Sequence, residues 1–217
     1  MTHDLKSNEK YWDKFYQQHV IRAPSQFCVM VATEVKSDNC IVEFGCGNGR
    51  DSLYFSSMGF DVSAMDLSEE AVASCRMSAG ARGLQNVEFA QGSIADKSDL
   101  TQLLNSARKK SKSGRVTGYS RFVMHSVDDA QETAFMKCIS SEMQSGEKVY
   151  LEYRSKEDAK LEKTFGGHYR RFVDTDELTK KATEDGKFKL LYQITGQGMA
   201  RYKSEDPFVS RVILEKK

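Results

Sequence analysis

A glycine-rich segment constrains the fold of this 217-residue chain more than any other feature of its sequence. It reads E-F-G-C-G-N-G-R-D over residues 43–51, and its first two residues end a mainly apolar run, 40–44, that predicts a strand. Glycine has no Cβ, so glycines at alternate positions permit a tight turn and let a ligand approach the backbone closely. The pattern over 49–58 predicts a helix, so the segment is expected to lead from a strand into a helix.

Strand-like and helix-like runs alternate along the rest of the chain. Further strands are predicted over 61–65, 86–90, 116–123 and 148–153, with helices between them. Ser68 marks one helix start, because a serine caps the amino end and the acidic Glu69 and Glu70 suit the first turn. The runs 188–195 and 208–214 predict an antiparallel hairpin, and residues 8–18 and 25–35 predict two helices ahead of the sheet. This order is typical of the α/β class, with helices on both faces of a mainly parallel sheet.

Composition excludes several classes of protein. Lys plus Arg total 32 and Asp plus Glu 31, and this balance argues against nucleic acid or an anionic membrane as the partner. The longest apolar run, 27–32, is far shorter than the roughly 20 residues of a membrane span. The five cysteines form no C-x-x-C pair, and no charged-then-apolar leader opens the chain. We therefore expect one cytoplasmic domain over residues 1–217, with no membrane span and no bound metal.

The spacing of the glycines and of two acids indicates what the turn holds. The pattern is G-x-G-x-G, one position shorter than the dinucleotide pattern G-x-G-x-x-G, and this compact turn suits a ligand without a pyrophosphate. Glu43, at the base of the turn, suits a ligand that carries an ammonium group. Asp66 directly follows the second predicted strand, 61–65, and lies 21 residues after Gly45. A carboxylate at this place can accept hydrogen bonds from both hydroxyls of a ribose.

The pattern E-x-G-x-G-x-G followed by a strand-end acid resembles the class I S-adenosylmethionine (SAM) methyltransferases. The resemblance spans most of the chain and implies a Rossmann-like seven-stranded sheet with an antiparallel last strand, in agreement with the predicted hairpin. It also implies SAM as the cofactor and S-adenosylhomocysteine (SAH) as its product. The residues expected at the cofactor are Trp12, Arg22, Glu43, Gly45, Cys46, Gly47, Arg50, Asp66, Leu67, Ser93, Ile94 and Arg121.

Several of these residues have expected roles by analogy with the family. Glu43 and the glycine turn would line the methionine part of SAM, and Asp66 would bind the ribose. The adenine would be bordered by Leu67, Ser93 and Ile94, although the family usually has an acid where Ser93 stands. Arg121 would reach the carboxylate of SAM. The Tyr11–Trp12 pair either closes the N-terminal helical cover (residues 1–36) over the cofactor or forms the buried stripe of its helix.

Shorter motifs resemble small-molecule methyltransferases encoded with sugar- and capsule-building genes. They lie at residues 11–16, 22–27, 49–52, 119–125, 167–172 and 205–207. This resemblance implies O-methylation of a sugar hydroxyl, such as that of a deoxyhexose in a surface glycan. It also implies that the chain can be a module of a larger glycan-building polypeptide. A phosphorylated or carboxylated acceptor, or a SAM-binding module without turnover, is the alternative.

Three residues are candidate catalytic groups. An alcohol nucleophile loses its proton as it attacks, and a neutral histidine is suited to accept it. His125 follows the fourth strand, and His168 lies in the predicted substrate-side insertion, residues 154–186. Glu152, near the end of the fifth strand, is either a base or an orienter of one of these imidazoles. Their alternatives are structural: a polar turn for His125, a surface loop for His168 and a solvated strand end for Glu152.

Tyr169 and Arg170 are candidate acceptor-binding residues. A guanidinium group matches a phosphate or a carboxylate, so Arg170 or its neighbour Arg171 can bind an anionic acceptor. Adjacent side chains of an extended segment point in opposite directions, so one of these two arginines is expected to be structural. Asp128 and Asp129 lie near His125 in sequence, but no matching third acid or Asn is placed after strand five. They are expected to start a helix rather than to hold a metal ion.

Overall fold

The computed structural model describes residues 23–161, 163, 169–184 and 186–217. The predicted helix over 8–18 therefore lies outside the described residues, as do the candidate residues Trp12, Arg22 and His168. Helix 25–35, the other predicted N-terminal helix, is present with Ser25 as its N-cap.

The described residues form one seven-stranded sheet. Its strands are β1 (Cys40–Phe44), β2 (Val62–Asp66), β3 (Val87–Gln91), β4 (Val116–Arg121), β5 (Lys148–Arg154), β6 (Phe188–Gly196) and β7 (Val209–Lys216). Their order is β3-β2-β1-β4-β5-β7-β6. β1 to β5 pair in parallel, and β7 runs antiparallel between β5 and β6. The Rossmann-like seven-stranded sheet and its antiparallel C-terminal hairpin are thus confirmed.

Helices connect the strands of this sheet. Within the described ranges they are α1 (Gln26–Glu34), α2 (Arg50–Ser57), α3 (Glu69–Ala81), α4 (Lys97–Lys110), α5 (Asp129–Glu142), a short 3₁₀ helix (Lys156–Lys160) and α6 (Thr175–Glu184). The predicted caps are confirmed: the Ser68 hydroxyl accepts from the Ala71 amide, and Asp128 caps α5 in a capping box with Gln131. In the part of the chain that is described, no helix has the length and apolar character needed to cross a membrane.

Two hydrophobic clusters bury the two faces of the sheet. Phe44 of β1 packs with Leu100 of α4 and Phe135 of α5 on one face. Ile41 of the same strand belongs to the cluster on the other face, together with Phe27 of α1. Successive strand residues point to opposite faces and both faces are covered, so β1 is buried along its whole length, Glu43 included.

Strand β4 is shorter than the sequence predicts. It ends at Arg121 rather than at residue 123, because Phe122 adopts a left-handed backbone conformation with φ of 62°. This conformation turns the chain out of the sheet and starts the segment that carries Val123 and His125. Non-glycine residues in this region are strained, and such strain concentrates at functional sites.

Candidate active site

A cavity of about 520 Å³ opens at the carboxyl ends of the parallel strands. β1 lies between β2 and β4, so the chain leaves it for one side of the sheet and returns to the other. In open α/β sheets, ligands bind in the crevice at this point of reversal. Twelve of the predicted site residues line the cavity: Glu43, Gly45, Cys46, Gly47, Arg50, Asp66, Leu67, Ser93, Ile94, Arg121, His125 and Arg170. Glu152 and Tyr169 are described but do not line it.

The glycine turn forms a cradle that side chains cannot occupy. Gly45 and Gly47 have φ values of 78° and 53°, in the left-handed region. A Cβ on Gly45 would lie 2.3 Å from Cγ2 of Val123, closer than real atoms approach. The amides of Gly45 and Cys46 both donate to the Met65 carbonyl at 2.9 Å, and these bonds tie the turn to β2. Gly45, Cys46 and Gly47 line the cavity, so the turn forms part of its wall.

The carboxylate of Asp66 forms hydrogen bonds with the other side of the same turn. Its Oδ2 accepts a 2.7 Å hydrogen bond from the Gly47 amide, and its Oδ1 accepts one of 3.0 Å from the Ser68 amide. These bonds hold the carboxylate at the end of β2, at the edge of the cavity. An ionised carboxylate has about four lone-pair sites, so it can also accept from the hydroxyls of a ribose.

Glu43 is a buried carboxyl group in the wall of the cavity. It is 3% exposed, and the hydroxyl of Ser52 donates to its Oε2. Burial, followed by the nearby charge of Asp51, raises its pKa well above the ordinary value. Glu43 therefore retains its proton to higher pH than an exposed glutamate does. A cation placed beside it would favour the ionised form instead, so the group suits a ligand that carries an ammonium.

Asp51 is a site-supporting residue that sequence analysis did not single out. Its carboxylate accepts from the Ser25 amide and the Ser25 hydroxyl, each at 2.7 Å, and from the Tyr119 hydroxyl at 2.7 Å. It thereby joins the start of α1 to the start of α2 beside the cavity. The signal in the sequence was the G-R-D-S motif, whose Arg50 lines the cavity and whose Ser52 contacts Glu43.

Glu152 is placed as a support for Arg121. It is 1% exposed, its Oε1 accepts from Nε of Arg121 at 2.8 Å, and its Oε2 accepts from Nε of Arg211 at 2.8 Å. Burial alone lowers the pKa of Arg121, but the Glu152 charge outweighs it and the pKa rises. Both carboxylate oxygens accept from a guanidinium, so Glu152 is not the solvated strand-end carboxylate of the alternative prediction. Its roles as a base or as an orienter of an imidazole stay predictions.

Phe122 places an aromatic ring directly after the carboxyl end of β4. Its centroid lies 4.0 Å from Cζ of Arg121 and 5.6 Å from Cζ of Arg154, and it packs edge-to-face on His125 at 5.1 Å. Sequence analysis missed this residue, since a left-handed phenylalanine has no signature in the residue order. Its only signal was its place in the 119–125 motif.

His125 is buried, at 3% exposed, in the cavity wall. Its Nδ1 accepts a 3.1 Å hydrogen bond from the backbone amide of Arg154. Its carbonyl accepts one of 2.8 Å from the amide of Arg171. A neutral imidazole has one donor and one acceptor nitrogen, so this bond places the proton on Nε2. The structure therefore places His125 in the wall of the cavity, and its role as a general base stays a prediction.

Arg170 and Arg171 contact different parts of the structure, as predicted for adjacent side chains of an extended segment. Arg171 pairs with Asp129 and Glu132 and donates to the Met124 carbonyl at 2.9 Å, so it anchors the segment to α5. Arg170 lines the cavity. Tyr169 is half-buried beside them.

The loop between β6 and β7 completes the wall of the cavity with Ala200, Arg201, Tyr202, Glu205 and Pro207. Glu205 contacts Arg154 at 2.6 Å, and Asp158 contacts the same guanidinium at 2.7 Å. Within the described residues, no three His, Cys, Asp or Glu side chains are grouped so that they could hold a metal ion.

The fold and the cavity define the class: this chain has the fold of the class I SAM-dependent methyltransferases. A solved SAM-dependent methyltransferase from Anabaena variabilis superimposes with a TM-score of 0.76 over 99% of this chain and 96% of its own, at 15% identity. The glycopeptide N-methyltransferase MtfA, solved with SAH, gives a TM-score of 0.65 over 93% of this chain and 91% of its own, at 16% identity.

Sequence comparison identifies similarity to TehB proteins over part of the chain. The family model described as tellurite resistance protein TehB matches residues 5–102. The probable SAM-dependent methyltransferase TehB of Haemophilus influenzae (strain 10810) is 35% identical over 65 residues, which are 30% of this chain and 21% of that protein. The chain thus matches about a fifth of the length of its curated relatives. The solved TehB of H. influenzae has a TM-score of 0.66 over 97% of this chain and 67% of its own, at 18% identity.

Proposed function

We propose that this chain is a SAM-dependent methyltransferase that acts on a small-molecule acceptor. The observation that carries the proposal is the cradle at the end of β1, where left-handed glycines lie between the carboxyl groups of Glu43 and Asp66. The fold shared with solved SAM-dependent methyltransferases and the similarity to TehB over residues 5–102 support it.

The chain's own residues bind and orient the cofactor in this proposal. SAM, when bound, supplies a methyl group on a positively charged sulfur. Glu43 faces its ammonium and Asp66 its ribose hydroxyls, while Arg50 and Arg121 suit its carboxylate. Leu67, Ser93 and Ile94 border the adenine. The glycine turn lets the ligand come near the backbone, where a Cβ would exclude it.

The acceptor that the sequence motifs favour is a sugar hydroxyl, such as that of a deoxyhexose in a surface glycan. Methylation of a hydroxyl forms an O–CH₃ bond and releases the hydroxyl proton, which a general base accepts. His125, which lines the cavity, is the first candidate for this base, and His168 is the second. Arg170, two positions further along the chain, lines the cavity.

A phosphorylated or carboxylated acceptor is the second candidate. Arg170 and Arg201 both line the cavity, and guanidinium groups match anionic oxygens. We further propose that residues 1–217 form one cytoplasmic methyltransferase domain that needs no metal, so that EDTA leaves turnover unchanged.

Calorimetry with SAM tests the cofactor site. Asp66→Ala removes the strand-end carboxylate and is expected to weaken SAM binding by about 1–3 kcal/mol, the range for a lost charge-assisted hydrogen bond. Asp61→Ala is the matched control, because Asp61 lies at the opposite end of the β2 segment and does not line the cavity. Absence of SAM binding by the wild-type chain would overturn the proposed function.

Mass spectrometry tests the acceptor. The protein is incubated with SAM and either methyl α-L-rhamnoside or a pool of phosphorylated and carboxylated metabolites. Addition of one methyl group to the rhamnoside supports the sugar acceptor. Labelling confined to the anionic pool would replace it with the second candidate.

A further inference from the structure

We infer that Arg211 is a positioning residue, which holds the loop between β6 and β7, residues 197–208, and couples this loop to the cofactor side through Glu152 and Arg121. Arg211 is 8% exposed and does not itself line the cavity. The coupling rests on the proposed function, because it needs SAM to meet Arg121, whereas the hold on the loop does not. The inference gives a role to a buried guanidinium that the proposed function leaves unused.

Three charged side chains form a row across neighbouring strands. Arg121 of β4 is the register partner of Glu152 of β5, and Glu152 is the register partner of Arg211 of β7. Nε of each guanidinium donates to one oxygen of Glu152 at 2.8 Å, so the two arginines flank the glutamate. The hydration that these buried ions lose offsets much of their attraction, so the row contributes a fixed geometry more than net stability.

Arg211 also contacts the loop and α1. Its Nη2 donates to the Met199 carbonyl at 2.8 Å. Its Nη1 lies 3.6 Å from Sδ of Met30, and its Cζ lies 5.2 Å from the centroid of the Phe27 ring. The three nitrogens of one planar group therefore meet Glu152, the loop and α1, an arrangement that needs the rigid fork of an arginine.

The Met199 carbonyl is placed to control how the loop meets the cavity. The Gln26 side-chain amide, with its nitrogen turned toward the loop, donates to the same carbonyl at 2.6 Å. The carbonyl thus accepts from a sheet residue and from α1. The three residues that follow it line the cavity, namely Ala200, Arg201 and Tyr202. Loss of the Arg211 bond is therefore expected to loosen a segment of the cavity wall.

The charged row gives the cofactor a means to order the loop. Arg121 lines the cavity and suits the carboxylate of SAM in the proposed function. A ligand carboxylate that fixes Arg121 also restricts Glu152, and Glu152 in turn restricts Arg211 and the Met199 carbonyl. A loop that the cofactor has already ordered loses less entropy when the acceptor binds, so SAM is expected to favour acceptor binding.

Hydrogen–deuterium exchange of the full chain tests the hold on the loop. The amides of Gly198, Tyr202 and Glu205 are hydrogen-bonded within the loop, so their exchange reports its order. Arg211→Met keeps an apolar stem and removes the guanidinium. These amides are expected to exchange about tenfold faster in this variant, as for one lost hydrogen bond to a charged group. Exchange at the wild-type rate would overturn the inference.

Arg108→Met is the matched control. Arg108 also donates to a buried glutamate, Glu147, and to a backbone carbonyl, that of Glu142, but it does not line the cavity or contact the loop in the described residues. This variant is expected to leave loop exchange unchanged. Equal acceleration in both methionine variants would mean that general destabilisation loosens the loop, and the positioning role would fail.

Arg211→Lys separates charge from geometry. Lysine keeps a positive charge beside Glu152, but its single ammonium lacks the fork that reaches both Glu152 and the Met199 carbonyl. The loop amides are expected to exchange faster than in the wild type, as in Arg211→Met. A lysine variant that protects the loop as well as arginine does would contradict the role of the fork.

Exchange with saturating SAH tests the coupling, since SAH retains the carboxylate of SAM. Calorimetry first establishes that each variant binds SAH and is therefore folded. SAH is expected to slow loop exchange by about fivefold or more in the wild type and in Arg108→Met, but not in Arg211→Met. If the wild type binds SAH and its loop exchange is unchanged, the coupling fails and the proposed function stands. If it binds no SAH, the proposed function fails, while the comparison without SAH still tests Arg211.

Discussion

The carboxylate of Asp51 accepts two hydrogen bonds from Ser25, one from its amide and one from its hydroxyl, each 2.7 Å long. Ser25 caps α1, and Asp51 lies in the first turn of α2 directly after the glycine cradle. The bond pair therefore fixes the segment that leads into the sheet against the cofactor turn. Arg50, beside Asp51 in sequence, lines the cavity.

Asp51→Asn is expected to lower the free energy of unfolding by about 2–3 kcal/mol. The side-chain NH₂ group of the new asparagine would face one of the buried donors of Ser25 or Tyr119, which then lacks an acceptor. The substitution also removes the negative charge that strengthens these hydrogen bonds. Urea denaturation measures the change. Asp38→Asn, at an exposed position, is the control and should alter stability by less than about 0.5 kcal/mol. Equal stability of the two variants would contradict the linking role of Asp51.

Glu43→Gln is expected to change how stability depends on pH. Burial and the charge of Asp51 raise the folded-state pKa of Glu43, so the native state binds more protons than the unfolded state above about pH 4.3. Stability contributed by this group is therefore full below that pH and is lost as the pH rises toward the raised pKa. The glutamine variant should lack this decline and bind SAM more weakly. Urea denaturation across pH 4–9, with calorimetry, checks both.

Gly45→Ala is expected to reduce both stability and SAM affinity. The new Cβ adds left-handed strain of about 1–2 kcal/mol and meets Val123 at 2.3 Å. Gly59→Ala is the matched control, because Gly59 also has a positive φ, 89°, but a Cβ there meets nothing within 4 Å. Adding Val123→Ala should recover part of the loss at Gly45 and none at Gly59. Thermal melting and calorimetry measure these differences.

Glu152→Gln is expected to destabilise the fold by about 2–4 kcal/mol, because it leaves the buried Arg121 and Arg211 without their shared charge. It should also weaken SAM binding by about 3- to 10-fold, since Arg121 loses its support. Glu147→Gln provides the comparison: Glu147 is equally buried, pairs with Arg108, and does not line the cavity. Glu147→Gln is expected to destabilise the fold by a similar amount and to leave SAM affinity unchanged. If both variants lose the same SAM affinity, Glu152 has no specific role in supporting Arg121.

Local rules account for the parts of the fold that the sequence predicts well. β1 was predicted at its observed bounds, because a short apolar run meets a glycine turn at which no strand continues. The caps at Ser68 and Asp128 were predicted because a side-chain oxygen satisfies amides only a few residues away. The end of β4 was predicted wrongly, since the left-handed Phe122 depends on the packing of its ring against Arg121, Arg154 and His125.

By itself, the sequence determined the class of fold and the cofactor side of the candidate site, because both depend on spacing within one strand–turn–helix unit and on the residue that ends the next strand. The contacts of Glu152, His125 and Asp51 were decided only by the tertiary structure. Each depends on a partner far along the chain: Arg211 for Glu152, the Arg154 amide for His125, and Ser25 for Asp51. Whether a carboxylate or an imidazole accepts, donates or supports is set by the groups that folding brings to it, and no local pattern records them.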